Sequence, residues 1–588
     1  MESIKGLKRT HMCGKVTESM VGSAITLMGW VNKRRNLGQL VFIALRDVSG
    51  LVQVVINEEK NEMLANKAKE IKAEYVIAVR GVVINRGDNV NKDMETGAIE
   101  IEAEEIRILS SATLPPFSVL DEGVKEDLRL KYRYIDLRRK EMQYNIINRH
   151  KITKIIRNFL DKEGFIDIET PILTKSTPEG ARDYLVPSKE WPGSFFALPQ
   201  SPQIFKQLLM VSGFDKYYQI VKCFRNEDLR SDRQPEFTQL DIELSFIEME
   251  DVFNVIENLI VKVYKEVLEK NLKTPFIRMK YEEAMERYGS DKPDTRFSME
   301  LVNLSNIVKN TEFEPYKNAL KIGGSVRGIN ASGCGLYARK KIDSLVELAK
   351  YHKAKGLSYI IVQKEGYKTA LSKFLTNSEL DDIAVSLNAK VGDLLLICAD
   401  TNKVVYEVLG TLRLHIAKNE QLIDETKLNF LWIVDWPLLE WDEEEKRYFA
   451  MHHPFTKPRE EDIQLLQTQP HKAYAQAYDL VLNGVELGGG SIRINTNELQ
   501  NKMFEVLGLS ESEIEEKFGF LINAFKYGVP PHGGIALGID RLSMLMVGAS
   551  SLREVIAFPK VKDTSCPLTN SPSEVTNEQL LELGLKVR

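Results

Sequence analysis

An alternating stretch broken by a block of charge constrains this chain more than any other feature. Tyr217 to Phe224 and Phe237 to Phe246 both alternate as strands do, and Arg225-Asn226-Glu227-Asp228-Leu229-Arg230-Ser231-Asp232-Arg233-Gln234-Pro235-Glu236 lies between them. The pattern predicts an antiparallel hairpin with a long charged loop. In its second strand Leu240, Ile242, Leu244 and Phe246 share one face, while Gln239, Asp241, Glu243 and Ser245 share the other. The first face packs and the second is a polar floor, from which Arg225 and Glu227 both point toward whatever the loop covers. A solvated charged hairpin has the same pattern, so the residues alone leave both readings open.

A chain of 588 residues exceeds one hydrophobic core and predicts roughly three or four domains. The formal charge of −5 excludes a uniformly basic coat, so any nucleic acid must be met by local patches. The start MESIKGLKRTHMCGKV lacks the apolar core of a signal peptide, and no stretch of about 18 apolar residues occurs. A cytoplasmic protein without membrane contact is expected. The five cysteines form no CxxC pair, which predicts reduced, mostly buried thiols rather than disulfides or structural zinc.

Residues 1–108 read as strands at Ser23–Val31, Leu40–Arg46, Leu51–Ile56, Tyr75–Ile84 and Ile99–Leu109, with a helix near Glu59–Lys72. That order predicts an OB-fold β-barrel, which binds single-stranded nucleic acid but also sugars or proteins. Lys33, Arg34 and Arg35 are placed in the loop after the first strand, and Phe42 on the next. Residues 109–140 have hinge composition, with a basic run at Lys131, Arg133, Arg138, Arg139 and Lys140 that suits an RNA backbone or a solvated linker equally. An amphipathic helix carrying Ile152, Ile155, Ile156, Phe159 and Leu160 ends at Gly164, and the strand after it is expected to end at Pro171. A second pattern of strands and helices then covers 141–288 and resumes over 426–563. Between them, 289–425 is long enough to need its own α+β core, and 564–588 is a polar tail with a helix near Glu578–Leu583.

Spacing places several chemical groups together. Asn483-Gly484 between apolar runs predicts a two-residue hairpin in which Val481 opposes Glu486, with Asp479 on the same face, diagonal and about 7–8 Å away. Ser201-Pro202 predicts a helix with Ser201 as cap and Pro202 first, setting Gln203 and Lys206 on one face. A glycine-rich strand leads from Gly533 into a helix at Gly538-Ile539-Asp540-Arg541, and Gly488-Gly489-Gly490 precedes Arg493. Pro178 and Gly180 flank Glu179 in a lid-like loop. The chain contains no GxxxxGK[ST] loop.

FRNEDLRSDRQPEFTQ resembles motif 2 of class II aminoacyl-tRNA synthetases, GFIDIETP resembles motif 1 and GGIALGIDRL motif 3. With GWVNKRRNLGQLVFIALRD, the resemblance covers essentially the whole chain and points to the bacterial-type aspartyl-tRNA synthetases. It implies a multidomain α+β protein: an OB-fold anticodon-binding domain, a class II antiparallel-sheet catalytic domain and an α+β insertion domain. It further implies activation of L-aspartate by ATP, transfer to tRNA-Asp, Mg²⁺, and a homodimer built on motif 1. Arg225, Glu227 and Arg541 are the implied catalytic residues, with Arg225 on the α-phosphate and Arg541 on the γ-phosphate. Asn226, Gln234, Glu486, Gly538, Ile539 and Asp540 complete the ATP set, and Asp479 with Glu486 holds the metal. For aspartate the resemblance implies Glu179 and Asp241 on the amino group and Lys206, Arg493 and His452 on the side-chain carboxylate, with Gln203 and Arg225 nearby. For the anticodon it implies Arg35, Asn36, Leu37, Phe42 and Gln53. Asn36 and Asn226 depart from the family's usual Asp. An asparaginyl enzyme lacks the large insert and does not need both Lys206 and Arg493; a silent tRNA-binding paralogue is expected to lose Arg225, Glu486 or Arg541.

Overall fold

The computed structural model describes residues 1–176, 181–227 and 233–587. The chain divides into two compact units, Met1–Ile147 with Ile556–Val561 and Ser565–Ser573, and Asn148–Val555 with Lys562–Thr564 and Glu574–Arg588.

In the first unit five strands, Ala24–Leu37, Leu40–Asp47, Gly50–Asn57, Val76–Asn85 and Ile99–Ser110, close into a barrel, with the helix Glu62–Glu70 between the third and fourth. Period-two alternation drives it: Val41, Ile43 and Leu45 are buried in the barrel core while Phe42 and Ala44 face outward. Closure requires the third strand to pair in parallel with the fifth through Val54 and Ile101, which leaves no open edge. One expectation changes. Lys33, Arg34 and Arg35 lie on the first strand and not in a loop, because pairing continues past a bulge after Val31 through Lys33 opposite Ala44 to Leu37 opposite Leu40. The basic run after the barrel is largely committed to structure: buried Arg133 pairs with Asp136 and donates to the Ala557 carbonyl, and Arg138 pairs with Glu74.

The second unit holds an eight-stranded sheet, in the order Ile277–Lys280, Phe430–Val434, Ala477–Leu482, Val485–Ile492, His532–Gly538, Glu236–Ser245, Lys216–Phe224, Ile166–Asp167. The expected long hairpin supplies its sixth and seventh strands, pairing Glu236 with Phe224 through Leu244 with Lys216. Leu240, Ile242 and Leu244 pack against the helix Met249–Leu268, whereas Phe246 is 72% exposed. The strand stops at Ser245, and Phe246 turns with φ of 59°. Pro171 does not end a ladder either; only Ile166 and Asp167 pair with the neighbouring strand. Residues 289–425 contain a separate five-stranded sheet, buried on both faces, with Leu394–Asp400 at its centre. All five cysteines are buried, and none forms a disulfide. Among the described residues no helix is long and apolar enough to cross a membrane.

Candidate active site

One cleft of about 590 Å³ lies over the polar face of the sheet, and its walls come from widely separated segments. The floor includes Gln239 and Asp241, and Glu243 is the next alternate on the same strand. Asp241 and Glu243 are fully buried, and such charges persist only where partners offset desolvation. Lys206 supplies one, 3.2 Å from Asp241 and 3.3 Å from Glu243. It stands on the helix Gln203–Val211 with Gln203, as the spacing predicts, although the helix starts one residue late: Pro202 is the cap, and Ser201 Oγ accepts from the Gln203 N–H at 3.3 Å. Arg493 supplies the other cation, with its Nε 2.9 Å and Nη2 3.2 Å from the two Glu243 oxygens. Arg493 and Lys206 hold the Glu243 carboxyl down to about 2 against the opposing effect of burial. Gly534 makes this possible, since a Cβ there would lie 2.1 Å from Glu243 Oε2.

Asp241 behaves differently. Burial raises its carboxyl above the usual range, with Lys206 opposing, and its Oδ2 is buried without a hydrogen-bond partner among the described residues. Arg225 Nε, Gln203 Nε2 and His452 Nδ1 share that condition. Four unsatisfied buried polar atoms around one cleft mark a ligand's place better than any single residue does. Arg225 lies over the Phe237 ring at 5.2 Å, and Glu227 pairs with Arg233 at 2.7 Å. Gln234 also lines the cleft.

On the opposite wall, Val481 opposes Glu486 as the Asn-Gly turn predicts, but a bulge follows. Leu480 pairs with Gly488, leaving Leu487 as the extra residue, and Asp479 therefore faces Gly489 instead of Gly488. Both carboxylates still enter the cleft. Burial and the nearby Asp479 charge raise the Glu486 carboxyl, with Arg541 and Lys292 opposing. Two hard oxygen donors crowded in this way fit a divalent cation. His452 touches Asp479 at 3.5 Å and stands edge-on to Trp436. Arg541 opens the helix Ile539–Val547 and donates to the Glu486 carbonyl.

Three of the expected ATP residues make structural contacts of their own. Ile539 is fully buried in the core, and Asn226 is exposed, its backbone N–H donating to the Arg182 carbonyl at 3.0 Å; neither side chain lines the cleft. Asp540 does reach it, but its carboxylate is occupied by Arg149 and the Thr238 N–H. Glu179 falls outside the described residues. His453 and Asp291 line the cleft, and Glu243 holds the cleft residues Lys206 and Arg493, without any of the three being singled out as site residues by the sequence. The available signal for Glu243 is its place as an alternate of Asp241 on the polar face.

On the barrel Arg35 opposes Phe42, and Gln53, opposite Ala44, lies diagonal on the same outer face. Gln53 is 4% exposed and donates to Glu100 at 2.7 Å, so it is engaged within the barrel. Arg35, Asn36 and Leu37 are exposed.

Comparison with known families matches residues 125–562 to "tRNA synthetases class II (D, K and N)" and residues 25–109 to "OB-fold nucleic acid binding domain". The chain belongs to the class II tRNA synthetases. ATP is accordingly a substrate. An aspartate–tRNA(Asp/Asn) ligase of Caldanaerobacter subterraneus subsp. tengcongensis is 57% identical, covering 100% of this chain and 99% of that protein. An aspartate–tRNA ligase of Ruminiclostridium cellulolyticum is 55% identical over the same shares. The class II fold is shared with an asparaginyl-tRNA synthetase structure from Pyrococcus horikoshii in complex with asparaginyl-adenylate, at a TM-score of 0.60 and 17% identity, covering 94% of this chain and 98% of that one.

Proposed function

We propose that this synthetase activates L-aspartate with ATP to aspartyl-adenylate and transfers it to the 3′ end of tRNA-Asp. The observation that carries the amino-acid choice is the pair of buried cations, Lys206 and Arg493, on the floor of the cleft. A carboxylate side chain complements them; an amide does not. The full-length relatives named for aspartate support the same choice.

The chemistry follows from charge placement. The α-carboxylate of aspartate attacks the α-phosphorus of ATP, the bond to the β-phosphate oxygen breaks, and pyrophosphate leaves. No protein nucleophile is required, so catalysis is positioning and neutralisation. Arg225 meets the α-phosphate, and Arg541 the γ-phosphate from its helix start; Glu227, Gln234 and Gly538 line the ATP side. Asp241 receives the substrate ammonium, whose charge supplies the counter-ion that its Oδ2 lacks. Asp479 and Glu486 hold Mg²⁺, which neutralises phosphate charge when bound. Gln203 and His452 border the aspartate, with Glu179 as the expected lid contact.

The same reading assigns residues 1–108 to the anticodon, through Arg35, Asn36, Leu37, Phe42 and, after release from Glu100, Gln53. It makes 109–140 a hinge, 141–288 and 426–563 the two parts of the catalytic domain, 289–425 an inserted domain and 564–588 a tail. Exposed Ile166, Ile172 and Leu173 around motif 1 support a homodimer, and the protein is assigned to the cytoplasm. ATP–pyrophosphate exchange measured with each of the twenty amino acids, followed by charging of tRNA-Asp, tests the proposal. Exchange with asparagine or lysine in preference to aspartate would overturn it.

A further inference from the structure

A short segment joins the separate sheet of residues 289–425 to the wall of the cleft that carries Glu486. Helix Asn402–Asn419 packs on that sheet, and its Arg413 is 1% exposed. The guanidinium donates to the carbonyls of Asp294 at 2.8 Å, Met299 at 3.0 Å and Phe297 at 3.1 Å. It also lies 3.9 Å from the centre of the Phe297 ring. A planar fork that reaches three carbonyls fixes the chain wrapped around it, which the single nitrogen of a lysine does not. Burial lowers the group to about 10, with Asp294 opposing, so it stays charged at neutral pH. Met299 shows what the fork holds, because its φ of 85° is a conformation that a residue with a side chain keeps only where its surroundings impose it.

The same helix holds the start of the segment. Gly289 has φ of 65°, and a Cβ there would stand 2.4 Å from the Tyr406 carbonyl oxygen; a Cβ on Gly410 would stand 2.7 Å from the Gly289 carbonyl oxygen. Between these two anchors the segment meets the hairpin of the cleft. A Cβ on Gly484 would lie 3.0 Å from Asp294 Cβ. Asn429 completes the contact: its backbone N–H donates to Asn483 Oδ1 at 2.9 Å, and its Nδ2 to Thr295 Oγ1 at 3.1 Å. Glu486 is two residues beyond Gly484, and Asp291, near the start of the segment, lines the cleft.

We propose that the insert takes part in the reaction through Arg413, as a positioning residue: by fixing residues 294–299 it seats Asp294 against the Asn483-Gly484 turn and so sets where Glu486 stands in the cleft. This rests on the reading that Asp479 and Glu486 hold Mg²⁺. A domain merely tethered at its two ends would need neither the buried cation nor the strained residue.

Two replacements separate the fork from the charge. Arg413→Met keeps an apolar stem and removes every donor, and Arg413→Lys keeps the charge but not the fork. Hydrogen–deuterium exchange reads position without assuming a metal. In Arg413→Met, peptides covering 290–299 and 479–487 should both exchange faster, by about fivefold, while those covering 216–224 and 532–538 stay as in wild type. Acceleration confined to 290–299, or spread evenly over all four, would overturn the proposal. Equilibrium binding of ATP titrated with Mg²⁺ reads the consequence. The Mg²⁺ concentration for half-maximal binding should rise by about tenfold in both variants, as it does when the support of a metal ligand is lost, with the aspartate KM within about threefold of wild type. In a Glu486→Gln background Arg413→Met should add less than about twofold, since both changes act on one side chain. A wild-type Mg²⁺ requirement in Arg413→Met, or losses that add fully, would also overturn it. Thr295→Val cuts the link to Asn429 outside the core of the insert and serves where Arg413→Met does not fold: faster exchange at 479–487 supports the proposal, and unchanged exchange there sinks it. If wild-type ATP binding proves independent of Mg²⁺, the metal reading fails, and the exchange result still decides the role of Arg413.

Discussion

Asp479 Oδ1 occupies the space that a side chain on Gly489 would need: a Cβ built there lies 2.2 Å away. The bulge at Leu487 sets the two residues opposite one another, so the glycine run and the acid form one device. Gly489 has ordinary negative φ, and the nearest backbone atom, the Tyr478 carbonyl oxygen, is 3.7 Å from that Cβ. Gly489→Ala should therefore spare the fold and displace the carboxylate. We expect a Tm within a few degrees of wild type, exchange activity lower by on the order of 10²-fold, and a raised Mg²⁺ requirement. Wild-type Mg²⁺ dependence in the variant would detach Gly489 from the metal.

Arg225 should be needed for the reaction and dispensable for the fold. Its guanidinium packs on Phe237 and its Nε has no hydrogen-bond partner among the described residues, so little native structure depends on it. Arg225→Ala should cost on the order of 10²–10³ in exchange rate, as loss of one contact to developing charge does. An unchanged circular dichroism spectrum with activity within tenfold of wild type would remove Arg225 from the α-phosphate.

Local pattern explains what the sequence reveals and tertiary distance what it hides. Alternation at Val41, Ile43 and Leu45 needs only neighbouring residues, as does the pairing of Gln203 with Lys206 on one helix face, and both are legible. The Asn-Gly turn sets the opposition of Val481 and Glu486, yet the bulge at the next residue, Leu487, escapes that reading; glycines within a strand are its one available signal. Phe246 continues the alternation but belongs to the turn into the next helix, where no strand pairs with it. Arg493 meets Glu243 across 250 residues and His453 across 40, and no local periodicity encodes either contact. Gln53 reads as free in the sequence, and Glu100 on another strand holds it.

Acid should expose the Glu243 network first. The carboxyl falls from 4.5 to about 2 on folding, so its stabilisation is present above pH 4.5 and is lost as pH falls toward 2. Glu243→Gln removes this dependence. Between about pH 3 and 4.5 the urea midpoint of the variant should fall less steeply than that of wild type, by up to roughly 1.4 kcal/mol per pH unit in unfolding free energy. Parallel slopes would mean that Arg493 and Lys206 do not hold Glu243 ionised.

Arg493 should matter more for aspartate than for asparagine. Four of its guanidinium contacts go to Glu243, Ser491 and His453, which fixes its plane while leaving one Nη2 hydrogen for substrate. Arg493→Leu should cut exchange with aspartate by up to about 10⁴-fold while changing the low activity with asparagine far less. Because it also leaves Glu243 with Lys206 alone, the assay should be run where melting shows the variant folded. Equal losses for the two amino acids would assign the arginine to packing.

The choice between tRNA-Asp and tRNA-Asn turns on the end of the first barrel strand. The two anticodons differ only at the third base, so discrimination falls to the barrel, where Arg35, Asn36 and Leu37 are exposed just before the Gly38-Gln39 turn. Leu37, 71% exposed, offers no hydrogen bond to a base edge. Its influence must act by shape or through the placement of Arg35, whose neighbour Asn36 lacks the charge that an aspartate would supply. Relatives of similar identity are named for tRNA(Asp/Asn) and for tRNA without that qualifier, so likeness does not decide the matter. Preference for tRNA-Asp is the expected outcome for this chain. Aminoacylation of purified tRNA-Asp and tRNA-Asn transcripts should show a higher kcat/KM on the former, and Leu37→His should shift the ratio toward tRNA-Asn without changing ATP–pyrophosphate exchange. Comparable efficiency on both tRNAs in the wild type would reverse the assignment, and a Leu37→His ratio equal to that of wild type would move the reader away from this strand end.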